Sequence, residues 1–202
     1  MNILLEDYND IENGEVRLVE EREHGEKSYY LRGVMSWVNK LNKNKRIYTE
    51  EVMREAIESV SENIRLNGMV GELSHPPVPT INPERVSHVV TKFELAPNGA
   101  VLGELKALNT PQGKILKTLM ESKIRLGVST RAVGGTRPYS GPLAPMGEGV
   151  VEVLPGLKLI TVDVVMDPSQ GTYPDAIMES VGHIYVGQTV SFKKVWENVF
   201  GK

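Results

Sequence analysis

Hydrophobic positions along the chain change period several times, and each change marks an element. Met53, Ile57, Val60 and Ile64 recur at spacings of four, three and four, which places them on one face of a helix. Thr49 is suited to cap that helix, Glu50 and Glu51 fall in the first turn where the dipole favours anions, and Asn67-Gly68 supplies a stop. A second helix is predicted after Thr110-Pro111, a capping residue followed by proline at the first helical position, with Ile115, Leu116, Leu119 and Met120 as its apolar face. Elsewhere short runs of β-branched and apolar residues predict strands over 29–38, 70–73, 86–95, 101–108, 124–133, 150–153 and 158–166, with further segments at 183–186 and 190–200. Pro97-Asn98-Gly99 joins two of these as a hairpin. Polar residues 39–46 and the Gly- and Pro-rich stretch 134–149 read as loops, and Pro76 to Pro83 is too proline-dense for a helix or a central strand.

The first 27 residues are strongly charged, Glu20-Glu21-Arg22-Glu23 preceding Gly25, and read as a strand with a loosely held, mobile lead-in. No repeat interrupts the pattern. The expected architecture is one domain, 1–202, of the α+β class: mainly β, in a barrel or a related arrangement, with a few helices.

Composition narrows the function. At 202 residues, 40% hydrophobic and 24% charged, the chain has the make-up of an ordinary globular domain. A formal charge of -3 with no basic stripe argues against nucleic acid as a direct partner. The lack of cysteine excludes a disulfide framework, a thiol nucleophile and Cys-ligated zinc. No basic and apolar leader opens the sequence and no run of about 18 apolar residues occurs, so a soluble protein of the cytoplasm, without membrane contact, is expected.

Two short segments hold the most suggestive chemistry. Gly71-Glu72-Leu73-Ser74-His75-Pro76 presents a histidine whose following proline biases its backbone to an extended form. Leu126-Gly127-Val128-Ser129-Thr130-Arg131 presents a serine with glycine and arginine on the same strand face. A serine and a histidine in such settings suggest acyl transfer, although a turn histidine and a backbone-bonded strand serine are the ordinary alternatives. Asp163 stands among Leu159, Ile160, Val162, Val164 and Val165, where a charge needs a partner. Such a carboxylate could orient a histidine, or it could pair with a structural arginine. Asp167, in Asp167-Pro168-Ser169, competes for this role but reads as turn initiation. Arg131 is either an oxyanion or substrate-binding cation or an ion-pair residue. Glu72, His75 and His88 lack any recognised metal-ligand spacing, and the glycines form no nucleotide-binding pattern, so neither metal nor cofactor is expected.

Taken in order, Asn42 to Tyr48, Gly71 to Pro76, Arg85-Val86-Ser87-His88, Thr110-Pro111-Gln112-Gly113, Leu126 to Arg131 and Val162 to Ser169 make the chain resemble the prohead core protease family of large tailed bacteriophages. The resemblance covers about residues 30 to 170. That family is related to the herpesvirus assemblin proteases, which implies a small assemblin-like β-barrel flanked by helices. It implies Ser129 as nucleophile and His75 as base, with Asp163 carried over as third member. Many relatives have two serines before the arginine, where this chain has Ser129-Thr130-Arg131.

The implied function is that of a serine endopeptidase acting inside the assembling procapsid in the host cytoplasm. It would cleave scaffold and major capsid proteins and process itself. A homo-oligomer, and either a zymogen or a mature form, are compatible with the sequence. Cleavage in such phage enzymes commonly follows glutamate in a Leu/Ile-x-Glu context, and triplets of this type end at Glu6, Glu20, Glu104, Glu121 and Glu179, about as often as composition alone would yield. The alternative is a related, non-catalytic β-barrel used as a capsid or tail structural module.

Overall fold

The computed structural model describes residues 2–8, 17–23, 26–42, 44–122, 124, 126–142 and 149–166, with side chains from residue 28 onward. The strands β1 (Asn2–Tyr8), β2 (Arg17–Glu23), β3 (Glu26–Trp37), β4 (Arg46–Ile47) and β5 (Val70–Glu72) lie on either side of or before helix α1 (Glu50–Arg65). They are followed by a 3-10 turn at Pro83–Arg85, β6 (Val86–Leu95), β7 (Ala100–Ala107) and helix α2 (Pro111–Glu121). Strands β8 (Gly127–Gly134), β9 (Thr136–Pro138), β10 (Val151–Val153) and β11 (Lys158–Val165) complete the described chain.

Both helices start where local chemistry dictates. Thr49 Oγ1 accepts from the Val52 N–H at 3.3 Å and Thr110 Oγ1 from the Gly113 N–H at 3.0 Å, each satisfying an orphan donor of the first turn. In α1 the buried stripe is Val52, Met53, Ala56, Val60 and Ile64, while Ile57 is half-buried at its margin. In α2 Leu116 and Met120 are buried, but Ile115 is 48% exposed, so the apolar face is narrower than its sequence pattern. The helices pack on the sheet β2-β3-β7-β6-β5, chiefly against β6. The core between them includes Leu31, Met35, Val90, Val101 and Leu105 of the sheet. Burying such side chains contributes about 1.5–3 kcal/mol each before chain entropy is counted.

A second sheet, β1-β8-β11, is antiparallel throughout. Its register sets Asp163 opposite Ser129 and Thr161 opposite Arg131. A two-residue alternation therefore puts these four polar side chains on one face and Val128, Ala132, Val162 and Val164 on the other, in the core. A third, small sheet has the order β4-β10-β9.

The domain is mainly β with two helices among the described residues, as the pattern predicts, but the described strands form three sheets and close no barrel. The two larger sheets meet through one isolated parallel bridge, Leu73 to Val164. Immediately after it the chain turns away, because Ser74 has φ +88° and Pro76 cannot donate to a ladder. Two expected loops also carry strands, Arg46–Ile47 and Thr136–Pro138, both paired with β10. Both are too short to show a period and lack the apolar run that marks β5 and β10, so only their pairing with β10 defines them. The strands expected at 183–186 and 190–200 lie outside the described residues.

Candidate active site

His75 reaches the site because β5 ends against β11. The Ser74 N–H donates to the Val164 carbonyl at 2.8 Å, and the left-handed Ser74 backbone then redirects His75 toward Asp163. A non-glycine residue with this φ stores strain of the kind that recurs where a side chain must be aimed. His75 Nδ1 donates to Asp163 Oδ2 at 2.9 Å. Its opposite nitrogen, Nε2, then faces the Ser129 Oγ at 3.4 Å as an acceptor. The serine and aspartate are fully buried and the His75 side chain is 11% exposed. A base within reach of a hydroxyl, itself oriented by a carboxylate, has the relations of a nucleophilic triad, and its long serine contact is usual without substrate.

The carboxylate of Asp163 is held from a second side. Its Oδ1 accepts from Arg131 Nη2 at 2.9 Å and from the Glu72 N–H at 3.0 Å. Arg131 Nη2 also donates to Glu72 Oε2 at 3.1 Å, while Nη1 donates to the carbonyls of Val78 at 3.0 Å and Thr80 at 3.3 Å. A guanidinium has four terminal N–H donors. All four are thus engaged, and the residue has no exposed surface. The two carboxylates hold the terminal nitrogens beside Ser129 and His75, and the Nε–H is buried without a partner among the described residues, the one donor of Arg131 still available to the oxyanion or substrate-binding role expected of it.

His88 behaves differently from His75. Its Nε2–H donates to the Val162 carbonyl at 2.8 Å, and the Ser87 hydroxyl donates to its Nδ1 at 2.8 Å. Complete burial pushes its pKa down, opposed by the Val162 carbonyl and the charge of Asp163, so the ring is held neutral. Gly71 packs against this ring and the Val162 carbonyl, where a Cβ would have no room.

A family profile described as "Prohead core protein serine protease" matches residues 5–195. The chain belongs to that family. It is 28% identical over 153 residues to the "Prohead core protein protease" of Enterobacteria phage T4, covering 73% of this chain and 66% of that protein. The chain thus spans slightly under two thirds of that relative's length. The fold is also that of a solved structure, the bacteriophage T4 capsid assembly protease, with a TM-score of 0.70 at 22% identity, covering 83% of this chain and 98% of the other.

In this prohead core protease family member, His75, Ser129 and Asp163 converge from three separate elements, and Arg131 joins them from below. Asp167 lies outside the described residues. Glu72 is the site residue that the sequence considered only as a metal ligand; it is fully buried and belongs instead to Arg131. The available signal was an unpartnered-looking glutamate three residues before the histidine, in a segment otherwise reading as a short buried strand.

Proposed function

We propose that this protein is a serine endopeptidase of procapsid maturation that cleaves scaffold and capsid proteins and processes its own N-terminus. The observation that carries the reading is the chain of contacts from the Ser129 hydroxyl through His75 to Asp163. Membership of a family named for a prohead core serine protease supports the substrate class and the location inside the procapsid.

In the reaction His75 Nε2 takes the Ser129 proton as Oγ bonds to the scissile carbonyl carbon. Asp163 keeps Nδ1 protonated and stabilises the imidazolium that forms. Backbone N–H groups stabilise the oxyanion. Collapse of the tetrahedral intermediate breaks the C–N bond, with His75 returning its proton to the leaving amine. Water activated by the same histidine then hydrolyses the acyl-enzyme.

One candidate site for self-processing, Leu4-Leu5-Glu6, lies in β1, which pairs with the strand carrying Ser129. Glu6 pairs with Thr130 and Asp7 with Ser129; because Ser129 projects from the sheet face, cleavage after Glu6 requires β1 to leave its ladder with β8. Leu18-Val19-Glu20, the other N-terminal triplet, lies in β2 on the far edge of the large sheet.

The test is intact-mass and N-terminal sequence analysis of aged wild-type protein beside Ser129→Ala. Wild type is expected to lose its N-terminus after Glu6 or Glu20 while the variant stays at full length. Truncation of both would identify a contaminating protease, and stable full-length protein in both would remove self-processing. Incubation of each with the scaffold protein then separates the protease from a non-catalytic capsid or tail module, which would leave the scaffold uncut.

A further inference from the structure

Beneath the triad lies an ion pair that the serine–histidine–aspartate mechanism does not use. Glu72 and Arg131 have no exposed side-chain surface, and burying two charges is unfavourable unless their geometry returns the loss. Each carries more than the pair requires. The Glu72 carboxylate accepts from the Asn82 N–H through Oε1 and from Arg131 through Oε2. Arg131 in turn holds the Val78 and Thr80 carbonyls. Together they fasten the proline-rich segment that follows His75 at three points between residues 78 and 82, two on Arg131 of the strand carrying Ser129 and one on Glu72 of β5. The same Glu72 donates its backbone N–H to Asp163.

The charges also do not cancel. Glu72, Asp163 and Arg131 form one hydrogen-bonded cluster with two carboxylates and one guanidinium. A neutral His75 leaves it one negative charge in excess, and an imidazolium balances it. The imidazolium formed during attack thus meets a cluster whose net charge it cancels, with the Glu72, Arg131 and Asp163 side chains fully buried.

We propose that Glu72 is a positioning residue of the catalytic centre, acting through Arg131 to fix the loop after His75 and to supply the second negative charge that the cluster needs when His75 accepts the Ser129 proton. The proposal rests on the triad reading above. Among the described residues, the hydrogen bonds place Asp163 and Arg131, both bonded to Glu72, next to His75, with His88 of β6 on the Val162 carbonyl. Asp7 of β1 stands opposite Ser129 in register.

The experiment uses the full chain and a fluorophosphonate, which phosphonylates an activated serine without any need to know the natural substrate. The labelling rate is followed by mass spectrometry from pH 5 to 9. Wild type should label at Ser129 and Ser129→Ala should not; a wild type that resists the probe defeats the triad reading itself. With that established, Glu72→Gln should label about tenfold or more slowly at pH 7, as expected for one charge lost near a reacting centre. Its acid limb should move to lower pH. Glu72→Asp should recover most of the rate and the wild-type limb, and Asp7→Asn should keep the limb.

A merely structural Glu72 would lower the labelled fraction without moving the limb, and that result, or a wild-type rate in Glu72→Gln, overturns the proposal. Where Glu72→Gln does not fold, Glu72→Gln/Arg131→Met removes the whole pair, a change that buried ion pairs often tolerate. This double variant restores the net charge of the cluster. It should label slowly with its acid limb at the wild-type position, and a limb displaced to lower pH would refute the charge balance.

Discussion

A fully buried aspartate inside a run of Leu, Ile and Val is unfavourable unless its charge is met, and Asp163 meets three donors, from His75, Arg131 and the Glu72 backbone. Exchanging its carboxylate for an amide keeps the shape but allows the wrong tautomer at His75. Asp163→Asn should therefore lower the rate of Ser129 labelling and of cleavage by roughly two orders of magnitude or more, and by more than Asp167→Asn does. The reverse ranking would move the third role to Asp167. His75→Ala and Ser129→Ala should each abolish most activity, and their double variant should be little worse than either. Kinetics in which the two losses multiply would separate the serine from the histidine.

At the scale of elements, the site depends on how closely β5 approaches β11. Gly71 permits that approach, since a methyl group there would land on the His88 ring and the Val162 carbonyl, one residue before Asp163. The carbonyl is backbone and cannot swing aside. Gly71→Ala should destabilise the fold by about 1–3 kcal/mol, as overpacking of a filled core does, and should depress activity beyond the loss of folded protein. Urea unfolding together with fluorophosphonate labelling per folded molecule measures both. An alanine variant as stable and as reactive as wild type would mean that β11 is not held by this contact.

For the molecule as a whole, His88 links stability to pH. Its pKa lies below 6.5 in the folded chain because burial penalises the charged ring. The unfolded chain therefore binds more protons as pH falls below about 6.5, and this group withdraws stability progressively until the folded-state ring itself titrates. Its steepest contribution is about 1.4 kcal/mol per pH unit. His88→Gln, whose amide can still donate to Val162, should show a shallower fall in urea midpoint from pH 7 to 5 than wild type. Parallel curves would assign the acid sensitivity to other groups.

The sequence by itself determined the elements whose physics is local. The caps Thr49 and Thr110, the apolar stripe of α1 and the hairpin at Gly99, with φ +86°, all stand where neighbouring residues dictate them. It also singled out Ser129 and His75 as candidates, although their local settings left ordinary alternatives open and the roles came from the family resemblance of six short motifs in order. What only the tertiary structure decided concerns groups far apart in the chain. Asp163 becomes a partner of His75 through the β8–β11 register and the Leu73–Val164 bridge, neither of which leaves a periodic trace. Arg131 and Glu72, 59 residues apart, could each have been a surface charge. Their burial together is a property of two sheets meeting at one edge, where a charge without a partner would be intolerable and a charge with one becomes part of the site.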